Sequence, residues 1–158
     1  MNSLPKEVRL DDVIPQIREL LAKGQSVRIY PKGVSMLPML RQGIDSVMLS
    51  PVKGKLKKYD LPLYQRDNGK YVLHRIIGVE DGYYVIRGDN TYAKEKVPDE
   101  WIIGVMTEFY RGDRHVMADD KGYRRYAAFW QGIYPLRKPF HTLRMLGGRV
   151  KRKLFSKK

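Results

Sequence analysis

The amino-acid sequence predicts a mainly β fold with a short N-terminal helix and a basic, partly helical C-terminal tail. Short runs with strand-like alternation are separated by Asn-Gly and Asp-Gly turn signals, which are typical of antiparallel hairpins. One amphipathic stretch precedes these runs, and a segment rich in Lys and Arg follows them. The predicted organisation is a helical segment at 1–25, a β domain at 26–118 and a basic, aromatic, amphipathic tail at 119–158.

The N-terminal helix is predicted over residues 11–24. Two acidic residues begin this stretch, Pro15 falls in its first turn and Gly24 ends it, and these are common start and stop signals. Apolar side chains recur at helical spacing at Ile14, Ile17, Leu20 and Leu21. The pattern therefore predicts a short amphipathic helix.

The β domain begins with two short strands joined by the segment 32–40. Three further β-rich runs follow, separated by the turns Asp67-Asn68-Gly69 and Asp81-Gly82. A last strand precedes the turn-like 111–113. The predicted strands cover residues 26–30, 46–52, 59–65, 71–79, 83–87 and 101–110.

The charge of the chain is concentrated at its C-terminal end. The 158 residues hold 31 Lys and Arg against 17 Asp and Glu, a formal net charge of +14. Residues 1–110 contain 17 basic and 14 acidic residues, whereas 121–158 contain 12 basic residues and no acidic one. The excess positive charge therefore belongs to the tail and not to the β domain.

Composition also excludes several classes of site and of protein. The chain has no Cys, which removes disulfides, thiolate zinc sites and cysteine nucleophiles. His115 and His141 have no partners at ligand spacing, and no phosphate-binding glycine pattern appears, so we expect neither a metal nor any other cofactor. No apolar run resembles a signal peptide or a spanning helix. We therefore expect a cytoplasmic protein that meets a membrane, if at all, at its surface.

The hairpin around Asp81-Gly82 predicts a pairing between a histidine and a carboxylate. If these two residues form the turn, the antiparallel register places His74 directly opposite Asp89. Side chains paired in this way lie about 4.5 to 5.5 Å apart at Cβ, so Asp89 would orient the imidazole as in a catalytic triad. A bulge at Gly78 would instead place the two side chains on opposite faces of the sheet.

Three short segments together carry a family resemblance. Gly33-x-Ser35-Met36-x-Pro38, His74-Arg75-Ile76 and Gly88-Asp89-Asn90 occur in this order in the chain. They resemble the signal peptidase I family, most closely the branch that has histidine in place of the usual base lysine. The resemblance covers roughly residues 26–110. Self-cleaving repressors share the fold, but they use a Ser–Lys pair and a DNA-binding domain, for which residues 1–25 offer only one helix.

The resemblance implies a serine endopeptidase that cleaves peptide or precursor-protein substrates through an acyl-enzyme. It implies that Ser35 is the nucleophile, His74 the general base and Asp89 the supporting acid, with Asp99 as an alternative acid. The family's β domain binds an extended peptide as an added strand. Unlike most members, this chain shows no N-terminal membrane anchor, and a non-catalytic peptide-binding relative is the alternative function. A lysine base would come from the cluster at 53–58 or from Lys70, which we interpret as solvated charge.

The tail allows three interpretations. Its aromatic residues alternate with Arg and Lys, which suits an anionic membrane surface. The same pattern also fits docking onto the body of the protein, followed by a solvated basic end. Nucleic-acid binding is the weakest interpretation, because no base-reading fold accompanies the basic residues.

Overall fold

The computed structural model describes residues 10–137. Residues 1–9 and 138–158 lie outside the described residues, and with them His141 and the second half of the predicted basic tail. Within 10–137 the chain is mainly β and begins with a short helix, so this part of the fold prediction is confirmed.

Nine strands and two helices make up the described chain, with a short 3₁₀ turn at Asp99–Trp101. The helices are α1 (Leu10–Ala22) and α2 (Lys121–Gly132). The strands are β1 (Val27–Ile29), β2 (Ser46–Ser50), β3 (Pro62–Gln65), β4 (Tyr71–Leu73), β5 (Arg75–Val79), β6 (Tyr83–Arg87), β7 (Glu95–Pro98), β8 (Ile102–Arg111) and β9 (Arg114–Met117).

Helix α1 covers one side of the larger sheet. Ile14, Ile17 and Leu21 are at most 5% exposed and belong to the main hydrophobic core. On β8, a Cβ at Gly104 would lie 2.9 Å from Cδ1 of Leu21, so the helix approaches a strand position that has no side chain. The predicted amphipathic helix is confirmed, and its apolar stripe packs as the sequence indicates.

The strands form two antiparallel sheets. The larger sheet has the order β1-β2-β8-β3-β4, with β9 added along β8, and the smaller has the order β5-β6-β7. A second hydrophobic cluster, which includes Tyr64, Ile76 and Val97, packs the small sheet against residues of β3 and β8. Strands β1 and β4 are the two ends of the larger sheet, and each leaves one edge unpaired among the described strands.

The run predicted as one strand over 71–79 is divided at His74. Strand β4 ends at Leu73 and pairs with β3, whereas β5 begins at Arg75 and pairs with β6. His74 therefore lies at the point where the chain leaves one sheet and enters the other. A continuous alternating pattern cannot reveal this change of partner.

Both predicted hairpin turns are present, with Gly69 at φ 80° and Gly82 at φ 77°. The predicted register after the second turn is wrong. Val79 faces Tyr84 as expected, but between Ile76 and Gly78 the pairing shifts by one residue, so that Arg75 faces Arg87. The bulge removes the predicted opposition of His74 and Asp89, because a shift of one residue exchanges the two faces of a strand.

Strands β7 and β9 are absent from the sequence prediction. Strand β7 is the third strand of the small sheet, and it carries Glu95 opposite Ile86. Strand β9 forms a short hairpin with β8 around Gly112. Each has only four residues, too few for an alternating pattern to stand out from a loop.

Helix α2 packs onto the body of the protein. Its N-cap residue, Asp120, accepts a hydrogen bond from the backbone N–H of Tyr123, and Tyr123 and Ala127 are buried. A further helical turn follows at 134–137. No helix between residues 10 and 137 has the length and apolar character needed to cross a bilayer.

Candidate active site

Ser35 lies in the loop between β1 and β2, just before the cis peptide bond of Leu37-Pro38. The Ser35 carbonyl accepts a hydrogen bond of 2.8 Å from the backbone N–H of Asn90. The side-chain amide of Asn90 also donates to the carbonyl of Val34, at 3.1 Å. Hydrogen bonds thus join the segment 33–38 to the segment 88–90. Ser35 itself is half-buried.

His74 is 6% exposed and meets the Ser35 loop around Gly88. Nε2 of His74 lies 2.9 Å from the point where a Cβ on Gly88 would stand, and the Ser35 carbonyl oxygen lies 2.8 Å from that point. The two atoms can therefore be no farther apart than the sum of these distances. Ser35 and His74 also line one cavity of about 360 Å³. The structure thus places the predicted nucleophile and the predicted base on the lining of one cavity.

The other ring nitrogen of His74 faces a carboxylate, but this carboxylate belongs to Glu95. Nδ1 lies 3.3 Å from Oε1 of Glu95 and 3.5 Å from the hydroxyl of Tyr64. An ionised carboxylate can only accept a hydrogen bond, so Glu95 favours the tautomer that carries its proton on Nδ1. In that tautomer Nε2 carries the lone pair and can accept a proton.

Arg66 holds Glu95 in place. Its Nε and Nη2 donate to the two carboxylate oxygens of Glu95, each at 2.6 Å. Burial is the largest single effect on the pKa of Glu95 and tends to raise it, but the hydrogen bonds and positive charge of Arg66, with smaller effects of His74 and Tyr64, together lower the pKa below its ordinary value. Burial also raises the pKa of Tyr64 well above its usual range. Glu95 is therefore ionised and Tyr64 protonated at neutral pH.

The pKa of His74 is lowered from its ordinary value. Burial is the main cause, because it disfavours the charged imidazolium. The negative charge of Glu95 opposes this effect, and the positive charge of Arg66 adds to it. The imidazole is thus neutral at pH 7, which is the form that a general base requires.

Asp89 does not fill the position predicted for it. Its carboxylate receives two hydrogen bonds from Arg75, Nε to Oδ1 at 2.7 Å and Nη2 to Oδ2 at 2.6 Å. Both side chains of this pair are completely buried. The predicted contact between Asp89 and His74 is replaced by this ion pair, because the bulge in β5 turns Arg75 toward the carboxylate.

Helix α2 and the turn after it also hold Asp89. Gln131 donates to Oδ1 of Asp89 at 2.9 Å. The backbone carbonyl of Asp89 accepts from the indole of Trp130 at 3.0 Å and from Arg137 at 2.8 Å. The first part of the predicted tail therefore holds Asp89 in place. The next residue, Asn90, donates the hydrogen bond to the Ser35 carbonyl.

The alternative site residues lie elsewhere. Asp99 lines a different cavity, beside Tyr84 and Lys55. The cluster at 53–58 lines that cavity and another one, and Lys70 lines a groove adjoining the Ser35 cavity. Lys32 does line the Ser35 cavity, but it is exposed and lacks the burial that prepares a lysine to act as a base.

Glu95 is the residue of this site that sequence analysis missed. The sequence Glu95-Lys96-Val97-Pro98 has no clear polar–apolar alternation, so no sequence signal marked the strand that carries Glu95. No local pattern connects Glu95 with His74, because the contact depends on how β6 and β7 pair.

Comparison with known proteins adds no assignment to this geometry. No protein-family model matches the sequence, and no curated protein matches it.

Proposed function

We propose that this protein is a serine endopeptidase with a signal peptidase-like catalytic fold, in which Ser35 attacks and His74 is the general base. One observation carries the proposal: Ser35 and His74 line the same cavity, and the Ser35 carbonyl and Nε2 of His74 both lie within 3 Å of the Cβ position of Gly88. The buried, neutral imidazole and the carboxylate at its other nitrogen add support, since nucleophile, base and orienting acid are the parts of a triad. In this proposal the orienting acid is Glu95 and not Asp89.

The proposed reaction is acyl transfer in two steps. Nε2 of His74 takes the proton of Ser35 Oγ as Oγ bonds to the carbonyl carbon of the peptide. The C–N bond then breaks, and Nε2 returns the proton to the leaving amine. Water next attacks the ester and gives a proton to Nε2, and the acid product leaves as that proton returns to Oγ. The backbone N–H of Ser35 is the proposed donor to the oxyanion.

The substrate is proposed to bind as an extended strand. The Ser35 cavity adjoins a groove that runs between β1 and β4, the two strands with an unpaired edge. A peptide placed there could pair its backbone with the backbone of either strand. The non-catalytic alternative would use the same groove without the chemistry.

We also propose that the protein is cytoplasmic and contacts an anionic membrane surface, and the described part of the tail supports the membrane contact. Phe129 is 63% exposed and Leu136 is 71% exposed, and Arg125 lies one helical turn before Phe129. Exposed apolar side chains beside a cation suit such a surface. Flotation of the full-length protein with anionic vesicles, and not with neutral ones, is the expected result.

Cleavage of a diverse peptide library, followed by mass spectrometry, tests the enzymatic proposal. We expect wild type to cut, and Ser35→Ala and His74→Ala to lose cleavage. His115→Ala is the matched control, because His115 is an exposed histidine that also contacts a glutamate, Glu108, and it should retain activity. Cleavage that survives Ser35→Ala would exclude the proposed nucleophile. Peptide binding with no cleavage in any variant would favour the non-catalytic function.

A further inference from the structure

The peptide unit between Asp89 and Asn90 joins helix α2, with the turn that follows it, to the Ser35 loop. A peptide unit is planar and rigid, and this one is hydrogen-bonded at both of its polar groups. Its N–H, which belongs to Asn90, donates to the Ser35 carbonyl at 2.8 Å. Its carbonyl, which belongs to Asp89, accepts from the indole of Trp130 at 3.0 Å and from Nη2 of Arg137 at 2.8 Å. A rotation of this unit would therefore disturb the contacts on both sides.

Asn90 holds the two peptide units that flank Ser35. Its backbone N–H binds the Ser35 carbonyl, and its side-chain amide donates to the carbonyl of Val34 at 3.1 Å. The Val34 carbonyl shares a planar peptide unit with the N–H of Ser35. That N–H is the proposed donor to the oxyanion, and such a donor must point at the place where the negative charge develops. Asn90 therefore orients the oxyanion donor as well as the Ser35 carbonyl.

The two donors on the α2 side are held by contacts of their own. The guanidinium of Arg137 lies 3.7 Å from the ring centroid of Trp130, and its Nη1 donates to the Trp130 carbonyl at 3.4 Å. Both side chains are half-buried. Gln131, between them in the chain, donates to Oδ1 of Asp89 at 2.9 Å. Because two donors on one carbonyl polarise the peptide unit, they also strengthen the hydrogen bond that its N–H makes.

We propose that Trp130 and Arg137 are positioning residues, which act through the Asp89–Asn90 peptide unit on the oxyanion donor of Ser35. The effect on catalysis rests on the proposed function, whereas the effect on the hydrogen bond of Asn90 does not. Neither Trp130 nor Arg137 is among the described residues that line the Ser35 cavity, so they act on the reaction through the backbone. An oxyanion donor stabilises the transition state more than the bound substrate. Loss of either residue should therefore lower kcat and leave KM unchanged.

Two conservative substitutions in the full-length protein test the proposal by kinetics. Trp130→Phe keeps an aromatic ring and removes the indole N–H, and Arg137→Lys keeps the charge and removes the guanidinium. Complete loss of an oxyanion donor lowers kcat about 100-fold to 1000-fold. A donor that is only misdirected should lose part of this effect, so we expect each variant to lower kcat about tenfold with an unchanged KM.

Trp101→Phe and Arg125→Lys are the matched controls. Trp101 is the other tryptophan of the chain and packs against the second hydrophobic cluster, whereas Arg125 is exposed on α2. Both controls should keep kcat, and urea denaturation of all four variants should show that each is folded under the conditions of the assay. An equal fall of kcat in the controls, or a rise of KM with no fall of kcat in the two test variants, would overturn the proposal.

Amide hydrogen exchange of Asn90, measured by NMR, tests the same inference without cleavage. A peptide unit that is held less firmly exposes its N–H more often, so this amide should exchange about tenfold faster in Trp130→Phe and in Arg137→Lys, and at the wild-type rate in the controls. Faster exchange, together with wild type that cuts no peptide, would keep the positioning role and remove the peptidase. Unchanged exchange, or unchanged kcat where wild type does cut, would overturn the proposal.

Discussion

The molecule contains two arginine–carboxylate pairs near His74, and they share a geometry but not an environment. Arg75 and Asp89 form two hydrogen bonds and have no exposed side-chain surface. Arg66 and Glu95 also form two hydrogen bonds, but their side chains are 31% and 22% exposed. The same bidentate contact therefore occurs once in the interior and once at the margin of the cavity.

Each of the two pairs has further contacts, and these contacts give the pairs different roles. Arg75 also donates to the hydroxyl of Tyr123 and to the carbonyl of Tyr59, and Asp89 is held by Gln131, so this pair links the small sheet to α2. Glu95 instead reaches the ring of His74. The buried pair has all its partners within the fold and therefore stabilises the fold. The half-buried pair touches a titratable ring and can therefore change the pKa of that ring.

Removing the charge of Asp89 should have the largest effect on stability. Asp89→Asn leaves the guanidinium of Arg75 buried without its counter-charge, and breaking such a pair costs about 3–5 kcal/mol of the free energy of unfolding. Urea denaturation measures the loss. Glu19→Gln, which breaks the exposed pair with Lys23, should change stability by about 0.5 kcal/mol or less. Similar losses in the two variants would show that burial does not distinguish these pairs.

A methyl group at Gly88 should disrupt the site with a smaller effect on stability. Gly88→Ala places a Cβ 2.8 Å from the Ser35 carbonyl and 2.9 Å from Nε2 of His74, so the Ser35 loop or the His74 ring must shift. We expect kcat for the proposed cleavage to fall about 100-fold or more, since small displacements of catalytic groups have effects of this order. Gly132→Ala is the control, because a Cβ there has no neighbour within 4 Å. Equal activity in the two variants would contradict the assigned geometry.

Neutralising Glu95 should change the pH dependence of the proposed activity. The active imidazole is neutral, so activity falls as pH drops through the pKa of His74, which lies below its ordinary value. Glu95 raises that pKa, so Glu95→Gln should move the acid limb to lower pH. We also expect kcat to fall roughly tenfold to 100-fold, because the Gln amide can turn its NH2 toward Nδ1 and then no longer fixes the tautomer. Initial rates measured from pH 4 to pH 9 test both effects.

Glu108→Gln is the matched control for this variant. It removes the carboxylate from the exposed contact with His115, and it should leave both kcat and the pH profile unchanged. An acid limb that stays in place, or moves upward, in Glu95→Gln would show that Glu95 does not act on His74.

Local sequence patterns were sufficient for part of the fold. The stripe of Ile14, Ile17 and Leu21 predicted α1, and Gly69 and Gly82 marked both hairpins because each adopts a positive φ. For the candidate site, the Ser35 and His74 segments were identified from their resemblance, in this order, to segments of a known family. Their proximity around Gly88 is a contact between distant residues that no local pattern predicts.

The remainder of the site depended on pairing between distant residues. One extra residue in β5 exchanged the faces of Arg75 and His74, so the carboxylate beside His74 could not be found by counting from the turn. Glu95 required the position of β7 on β6. The sequence could not predict the role of α2 either. A segment rich in aromatic and basic residues is compatible with binding a membrane and also with packing onto the protein, as Trp130 does when it donates to the backbone carbonyl of Asp89.

The unpaired edges of β1 and β4 also bear on how the protein behaves in concentrated solution. An open strand edge is a template for pairing with another molecule, and natural sheets commonly protect such edges with lysine. Lys32 and Lys70 stand beside these two edges, so a second copy that approached edge to edge would bring positive charge against positive charge. The lysines at the two open edges would thus disfavour edge-to-edge association of two copies.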